Sequence, residues 1–208
     1  MRTLAIESAT EACSVALFDD GHRVAGFLEV IGRGHAERLV PMIADLPGKG
    51  RADRVVVSLG PGSFTGVRIG LAAARALGLA WNVPVLGYPT LALVAAMARA
   101  GAQRAVTVCM TGGHGEWFVQ HFAADGLPET ELASATPAAA EARHLLVAGS
   151  QAEALVARTG RGQAAALLPD ANAFALLDPA LVGPSLTPLY GRAPDARLPG
   201  AVAPGTAA

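Results

Sequence analysis

The chain has 208 residues, enough for one large domain or two small ones with a sizeable core. Sixteen Lys and Arg against seventeen Asp and Glu leave a formal net charge of −1, and Lys49 is the only lysine. A near-neutral chain with no basic cluster lacks the electrostatic footprint of a protein that grips nucleic acid unaided.

The N-terminal run Met1-Arg2-Thr3-Leu4-Ala5-Ile6-Glu7 reaches a carboxylate before any apolar signal core forms, so a cytoplasmic protein is expected. Residues 3–7, 12–18 and 23–29 read as consecutive antiparallel strands, with Asp19-Asp20-Gly21 as a tight hairpin turn. Leu39, Ile43 and Leu46 share one face of a helix over 35–46, kinked or started late by Pro41 and ended by Pro47-Gly48-Lys49-Gly50. The run Val55-Val56-Val57 within 54–59 predicts a strand buried on both faces. A glycine-rich loop, a helix over 67–81, a short strand at 83–86 and a helix through about residue 100 capped by Thr90 follow. The charge-free apolar stretch 91–98 falls far short of the roughly 20 residues of a membrane span, so no membrane association is expected.

Near Gly101 the pattern restarts. Residues 105–110 and 116–122 read as a hairpin around Thr111-Gly112-Gly113-His114-Gly115. A helix near 137–143, a strand at 144–148, a helix at 151–158, a strand at 164–168 and a helix near 171–177 complete the series, before a Pro-rich, extended tail from Pro184 with mobile last residues. Cys13 and Cys109 have no metal-ligand spacing and read as buried strand residues. Both halves follow the same order of strands and helices without a repeat of sequence. The expectation is an α/β protein with the duplicated actin-like, ribonuclease H-like fold: an N-terminal lobe over 1–103 and a C-terminal lobe over 104–208, each with a mixed sheet.

The loop Gly60-Pro61-Gly62-Ser63-Phe64-Thr65-Gly66 is the strongest local signal. Glycines between a buried strand and a helix start let backbone N–H groups converge on an anion, which makes Gly60, Gly62, Ser63, Thr65 and Gly66 phosphate-loop candidates. A tight turn whose glycines allow close packing explains the same residues equally well. No Gly-Lys-Ser/Thr follows, so this is not a Walker loop, and Ser63 does not sit midway between glycines as a hydrolase nucleophile would. His35 and Glu37, two apart on a helix, cannot jointly bind one ion, and His22, His114, His121 and His144 form no HxxxH or HExxH pair. An actin-like ATPase needs carboxylates at two hairpin turns; the first offers Glu7 and Glu11, whereas the second, Cys109-Met110-Thr111-Gly112-Gly113, has none. These residues call for no catalytic group, metal or cofactor. The alternative is an ATPase or kinase that uses residues 60–66 for phosphate and Glu7 for metal.

The segments Leu4-Ala5-Ile6-Glu7-Ser8-Ala9-Thr10-Glu11-Ala12-Cys13-Ser14-Val15-Ala16-Leu17, His35-Ala36-Glu37 and Gly60-Pro61-Gly62-Ser63-Phe64-Thr65-Gly66-Val67-Arg68-Ile69-Gly70 resemble the bacterial TsaB (YeaZ) family. Pro188-Leu189-Tyr190-Gly191-Arg192 resembles that family's C-terminal signature. The resemblance implies a noncatalytic scaffold subunit for making threonylcarbamoyladenosine beside the anticodon of tRNAs reading ANN codons. It implies binding to a TsaD-type transferase and a TsaE-type ATPase, a homodimer when alone, and tRNA contact only through the complex. Glu7 stands where the family usually has Asp, and Met110-Thr111-Gly112 where it often has Asp-Ala-Arg.

The helix over 67–81 is expected to form much of the partner interface, because a helix apolar nearly all round must be covered on more than one side. Arg68 and Arg75 mark the second face, with Leu71, Ala72, Gly78 and Leu79 beside them; His35 and Glu37 of the preceding helix join the expected interface.

Overall fold

A computed structural model of the chain describes residues 1–191. Sheet A begins with the antiparallel strands β1 (Arg2–Glu7), β2 (Ala12–Asp19) and β3 (His22–Val30). The β2–β3 hairpin turns on Asp20 and Gly21, both at positive φ (46° and 81°), the conformation that suits the twist of the flanking strands. β4 (Arg54–Ser58) and β5 (Val85–Tyr88) then add in parallel, giving the order β3-β2-β1-β4-β5. Sheet B repeats the plan with β6 (Val106–Thr111), β7 (Trp117–Phe122), β8 (Ala133–Ala135), β9 (Leu146–Ala148) and β10 (Gln163–Ala165) in the order β10-β9-β6-β7-β8. In each sheet a three-stranded meander is extended by two parallel strands on the side of its first strand, which is the duplicated actin-like, α/β architecture expected from the sequence.

Helix α1 (His35–Ala44) runs through Pro41, which lies on its exposed side, and closes with the Asp45 N–H on the Pro41 carbonyl at 3.0 Å. Helix α2 (Phe64–Trp81) starts three residues before the expected point because Ser63 caps it, its Oγ accepting from Gly66 N–H at 3.2 Å. α1 and α2 cover one face of sheet A over a core that includes Leu4, Ile6, Val15, Leu17, Val55 and Val57. α3 (Thr90–Ala98) lies between the two sheets, with seven buried residues, and joins Val56 and Tyr88 of sheet A to Val106, Met110 and Phe122 of sheet B. α4 (Ala152–Thr159) covers the outer face of sheet B. Cys13 and Cys109 are buried free thiols.

Three expectations need correction. Thr90 is the first helical residue of α3, not its cap; Pro89 stands at the N-cap and the Thr90 hydroxyl turns inward. No helix forms at 137–143: the alanines there make a single turn on the Thr136 carbonyl, whose chain Arg158 holds through the Ala138 and Ala140 carbonyls, and the edge strand β8 precedes it. A run of alanines has helix propensity but no apolar face large enough to anchor a helix to a sheet. Ala171–Leu176 is a 3₁₀ helix that packs back on β1, β2 and β3, so the chain returns to sheet A after β10. Gly183 then bridges to Gly87, and Leu189 N–H donates to the Leu59 carbonyl at 2.8 Å. Arg192 and the expected mobile end of the tail lie outside the described residues. Among the described residues no helix is long and apolar enough to cross a membrane.

Candidate functional site

The glycine loop is bound to the β1–β2 turn. A Cβ on Gly62 would collide with the Ala9 carbonyl, one on Gly66 with the Ser8 carbonyl, and one on Gly70 with the Ser8 hydroxyl. Ser63 N–H donates to the Ala9 carbonyl at 2.6 Å, Ser8 Oγ donates to the Gly66 carbonyl at 3.0 Å, and Thr90 N–H takes the Gly60 carbonyl at 2.8 Å. Gly60 is at φ 89°, a conformation that glycine adopts without strain. Of the two readings of this loop, close packing accounts for the glycines. Ser63 Oγ is the helix cap, and Thr65 is exposed in the first turn of α2.

Sheet B carries a counterpart that the sequence did not reveal. Gly149, at φ 113°, lies where a Cβ would strike the Cys109 carbonyl, and Gln151 N–H donates to that carbonyl at 3.1 Å. Ser150 Oγ accepts from Thr111 N–H at 2.9 Å. One glycine followed by serine is too slight a motif to stand out; only the repeated sheet order identifies it.

The two loops face each other across a cavity of about 750 Å³ at the C-terminal ends of β1 and β6. Ala9, Thr10, Glu11, Gly62, Ser63, Phe64 and Arg68 line one side; Met110 to His114, Phe118, Ser134 and Ser150 line the other, with Tyr190 and Gly191 from the tail. At the mouth, the Arg68 guanidinium lies 3.6 Å from the Phe64 ring centroid and its Nε donates to Tyr190 Oη at 3.2 Å. Phe64 and Tyr190 stand 5.4 Å apart. The Phe64 and Tyr190 roles were not foreseen, although Tyr190 belongs to the quoted C-terminal motif.

Glu7, the metal candidate of the ATPase alternative, does not reach this cavity. It is fully buried; Oε1 accepts from Ala9 N–H at 2.8 Å and Oε2 from Thr90 Oγ1 at 3.4 Å. Burial pushes its carboxyl up to about 7, against the opposing pull of the Ala9 N–H. Glu7 therefore acts inside its own turn, and the carboxylate in the cavity lining is Glu11.

The expected interface residues divide. Arg68, Ala72, Arg75 and Leu79 lie on the exposed face of α2, where Leu79 is 86% exposed. Leu71 and Gly78 face inward: Leu71 is 2% exposed in the core beneath α2, and Gly78 packs so tightly on Val85 that a Cβ would collide with it. His35 is also buried, its Nε2–H donating to the Thr10 carbonyl at 2.8 Å, whereas Glu37 is exposed. The seven-residue spacing of Arg68 and Arg75 located the outer face; adjacency in sequence misplaced Leu71. Exposed Phe64, four residues before Arg68 on the same helix, extends that face and was missed.

A family model described as TsaD, tRNA N6-adenosine threonylcarbamoyltransferase, matches residues 29–173. The tRNA threonylcarbamoyladenosine biosynthesis protein TsaB of Escherichia coli (strain K12) is 46% identical over 100 residues, covering 46% of this chain and 43% of that protein. The tRNA N6-adenosine threonylcarbamoyltransferase of Solidesulfovibrio magneticus is 33% identical over 137 residues, covering 55% of this chain and 37% of that protein. These matches span less than half the length of the curated relatives. The solved structure of YeaZ from Pseudomonas aeruginosa superposes with a TM-score of 0.71 at 28% identity, over 84% of this chain and 89% of that one. With a TsaD family model over most of its length, TsaB-named relatives and a YeaZ-like fold, the chain belongs to the TsaB (YeaZ) family.

Proposed function

We propose that the protein is a noncatalytic subunit in threonylcarbamoyladenosine biosynthesis on tRNAs reading ANN codons, and that it works by binding a TsaD-type transferase. A TsaE-type ATPase joins the assembly, and the chain pairs with a second copy when alone. The exposed face of α2 carries this reading: Phe64, Arg68, Ala72, Arg75 and Leu79 form a strip of apolar side chains with two guanidinium groups. An aromatic, an arginine and exposed aliphatics on a rigid helix are the composition of a protein-binding hot spot. A net charge of −1 supports tRNA contact through the assembly rather than through this chain alone. The duties of the cleft follow from its lining: Glu11 is its carboxylate, and Met110, Thr111, Gly112 and Gly113 offer none opposite.

Co-purification with the transferase tests the proposal, and Leu79→Glu with Arg75→Glu should abolish it while the fold remains. Undiminished co-purification of that folded variant would overturn the interface. Multiple-turnover Mg-ATP hydrolysis by the pure chain, lost in Glu11→Gln, would overturn the noncatalytic reading in favour of the ATPase.

A further inference from the structure

At the opposite end of β1 from the cleft lies a second cavity of about 320 Å³, within the roughly 300–1,000 Å³ range of small-ligand pockets. It opens between sheet A and the returning segment, and Phe18, Leu86, Phe174, Leu177, Pro179 and Val182 supply most of its wall. The rings of Phe18 and Phe174 meet edge to face at 6.0 Å. Arg54 is the charged residue in this lining. It is half-buried, and its Nε donates to the hydroxyl of the buried Thr3 at 2.8 Å, which fixes the plane of the guanidinium. Among the described residues no carboxylate pairs with Arg54, and the nearby Asp53 and Asp178 carboxylates accept from the backbone N–H groups of Arg2 and Ala180 at 2.7 and 2.8 Å.

We propose that this cavity binds a small monocarboxylate with an aryl or short aliphatic body. The terminal N–H groups of Arg54 match the two oxygens of a carboxylate, and an oriented guanidinium loses little freedom on pairing. Among the described residues Arg54 is the one cation in this lining and balances one negative charge; a phosphate dianion would bring a second charge with no second cation to meet it. The apolar body replaces water against Phe18, Phe174 and Leu177. The bound molecule bridges β1 and β4 to the segment that returns from sheet B, so occupancy raises thermal stability.

The test uses the full chain with 3-phenylpropionate as probe, 3-phenylpropanol as its neutral isostere and inorganic phosphate as the bare anion. Calorimetry should show saturable binding of the acid, at least about tenfold tighter than the alcohol, and no binding of phosphate. Arg54→Gln, which retains a donor for Thr3, should weaken the acid about tenfold. Ala175→Trp, which fills the rim and leaves Arg54 in place, should abolish binding. Amide shifts should centre on Thr3, Gly21 and Leu86. No saturation by about 10 mM, equal affinity for acid and alcohol, unaltered binding in either folded variant, or shifts centred on Gly112 and Gly113 would each overturn the assignment.

Discussion

Ser8 Oγ donates to the carbonyl oxygen of Gly66 across 3.0 Å, with both groups buried. This bond ties the β1–β2 turn to the first turn of α2, and the Ser63 N–H on the Ala9 carbonyl adds a second link between the same two segments. A loop held in this way leaves its glycines in contact with backbone rather than with solvent, so their small size is a packing requirement.

Gly62→Ala should therefore destabilise the protein by about 3 kcal/mol, because the new methyl must displace the Ala9 carbonyl. Gly113→Ala, on the opposite wall of the cleft, should cost less than about 0.5 kcal/mol, since nothing lies near its Cβ. Urea denaturation of the two variants measures the contrast. A well-folded Gly62→Ala protein of unchanged midpoint would contradict the packing account.

The strands of sheet A were legible because their residues alternate or run apolar between clear turns, as in Ala12–Asp19 before Asp20-Gly21. Sheet B was harder to read. β8, β9 and β10 have three residues each, rich in alanine, and so short a segment carries no usable period. The glycine motif located one wall of the cleft. Its other wall, Thr111, Ser134 and Ser150, comes from three separate elements that only sheet pairing brings together. Helical spacing alone did not separate Leu71 from Leu79, since an alanine-rich helix has weak contrast between its faces.

On α2 the two leucines should behave oppositely. Leu71→Glu places a charge in the core under the helix and should unfold the lobe, costing several kcal/mol, on the order of 4. Leu79→Glu should shift stability by no more than about 0.5 kcal/mol, because its side chain faces outward, and should abolish the proposed pairing of two copies when they meet through this face. Thermal melts and sedimentation velocity separate these outcomes. A Leu79→Glu protein that still sediments as a dimer would remove this face from the self-contact.

Glu7 makes stability fall as pH rises. Its folded-state value, raised from 4.5 to about 7, means that the folded chain holds a proton the unfolded chain has released. The contribution is complete below 4.5 and is lost as pH climbs to about 7; at ~1.4 kcal/mol per pH unit it is on the order of 3 kcal/mol. Glu7→Gln keeps an acceptor for Ala9 N–H and places an amide donor beside the Thr90 and Ser58 hydroxyls. The variant should equal or exceed the parent at pH 8, and its advantage should shrink towards pH 5. Parallel stability curves for the two proteins across that range would refute the assignment.

In sheet B, the buried Thr107 hydroxyl meets the ring of His121. The Thr107 hydroxyl oxygen accepts from the His144 backbone N–H at 3.2 Å and lies 2.9 Å from His121 Nδ1, a contact in which either atom can donate. With Thr107 as the donor, Nδ1 accepts and the neutral imidazole carries its proton on Nε2. Burial pushes His121 down to about 4, with Arg143 and His144 adding to the fall, while Glu129 is engaged by His144 Nε2 at 2.8 Å. For a histidine lowered in this way, the unfolded chain binds the extra proton. The stabilising contribution is therefore present above the ordinary value of 6.5 and is lost as pH falls towards 4. This slope opposes that of Glu7, so the measurement belongs in the Glu7→Gln background. There, His121→Gln should flatten the acid limb between pH 6.5 and 4, and Thr107→Val should cost about 1–3 kcal/mol at pH 7 by leaving His144 N–H and Nδ1 unmet. In an NMR titration the His121 ring should stay neutral until about pH 4, with Nε2–H as the protonated nitrogen. An ordinary titration near 6.5 would contradict the effect of burial on the ring, and an Nδ1–H tautomer would show that Thr107 accepts from it instead of donating.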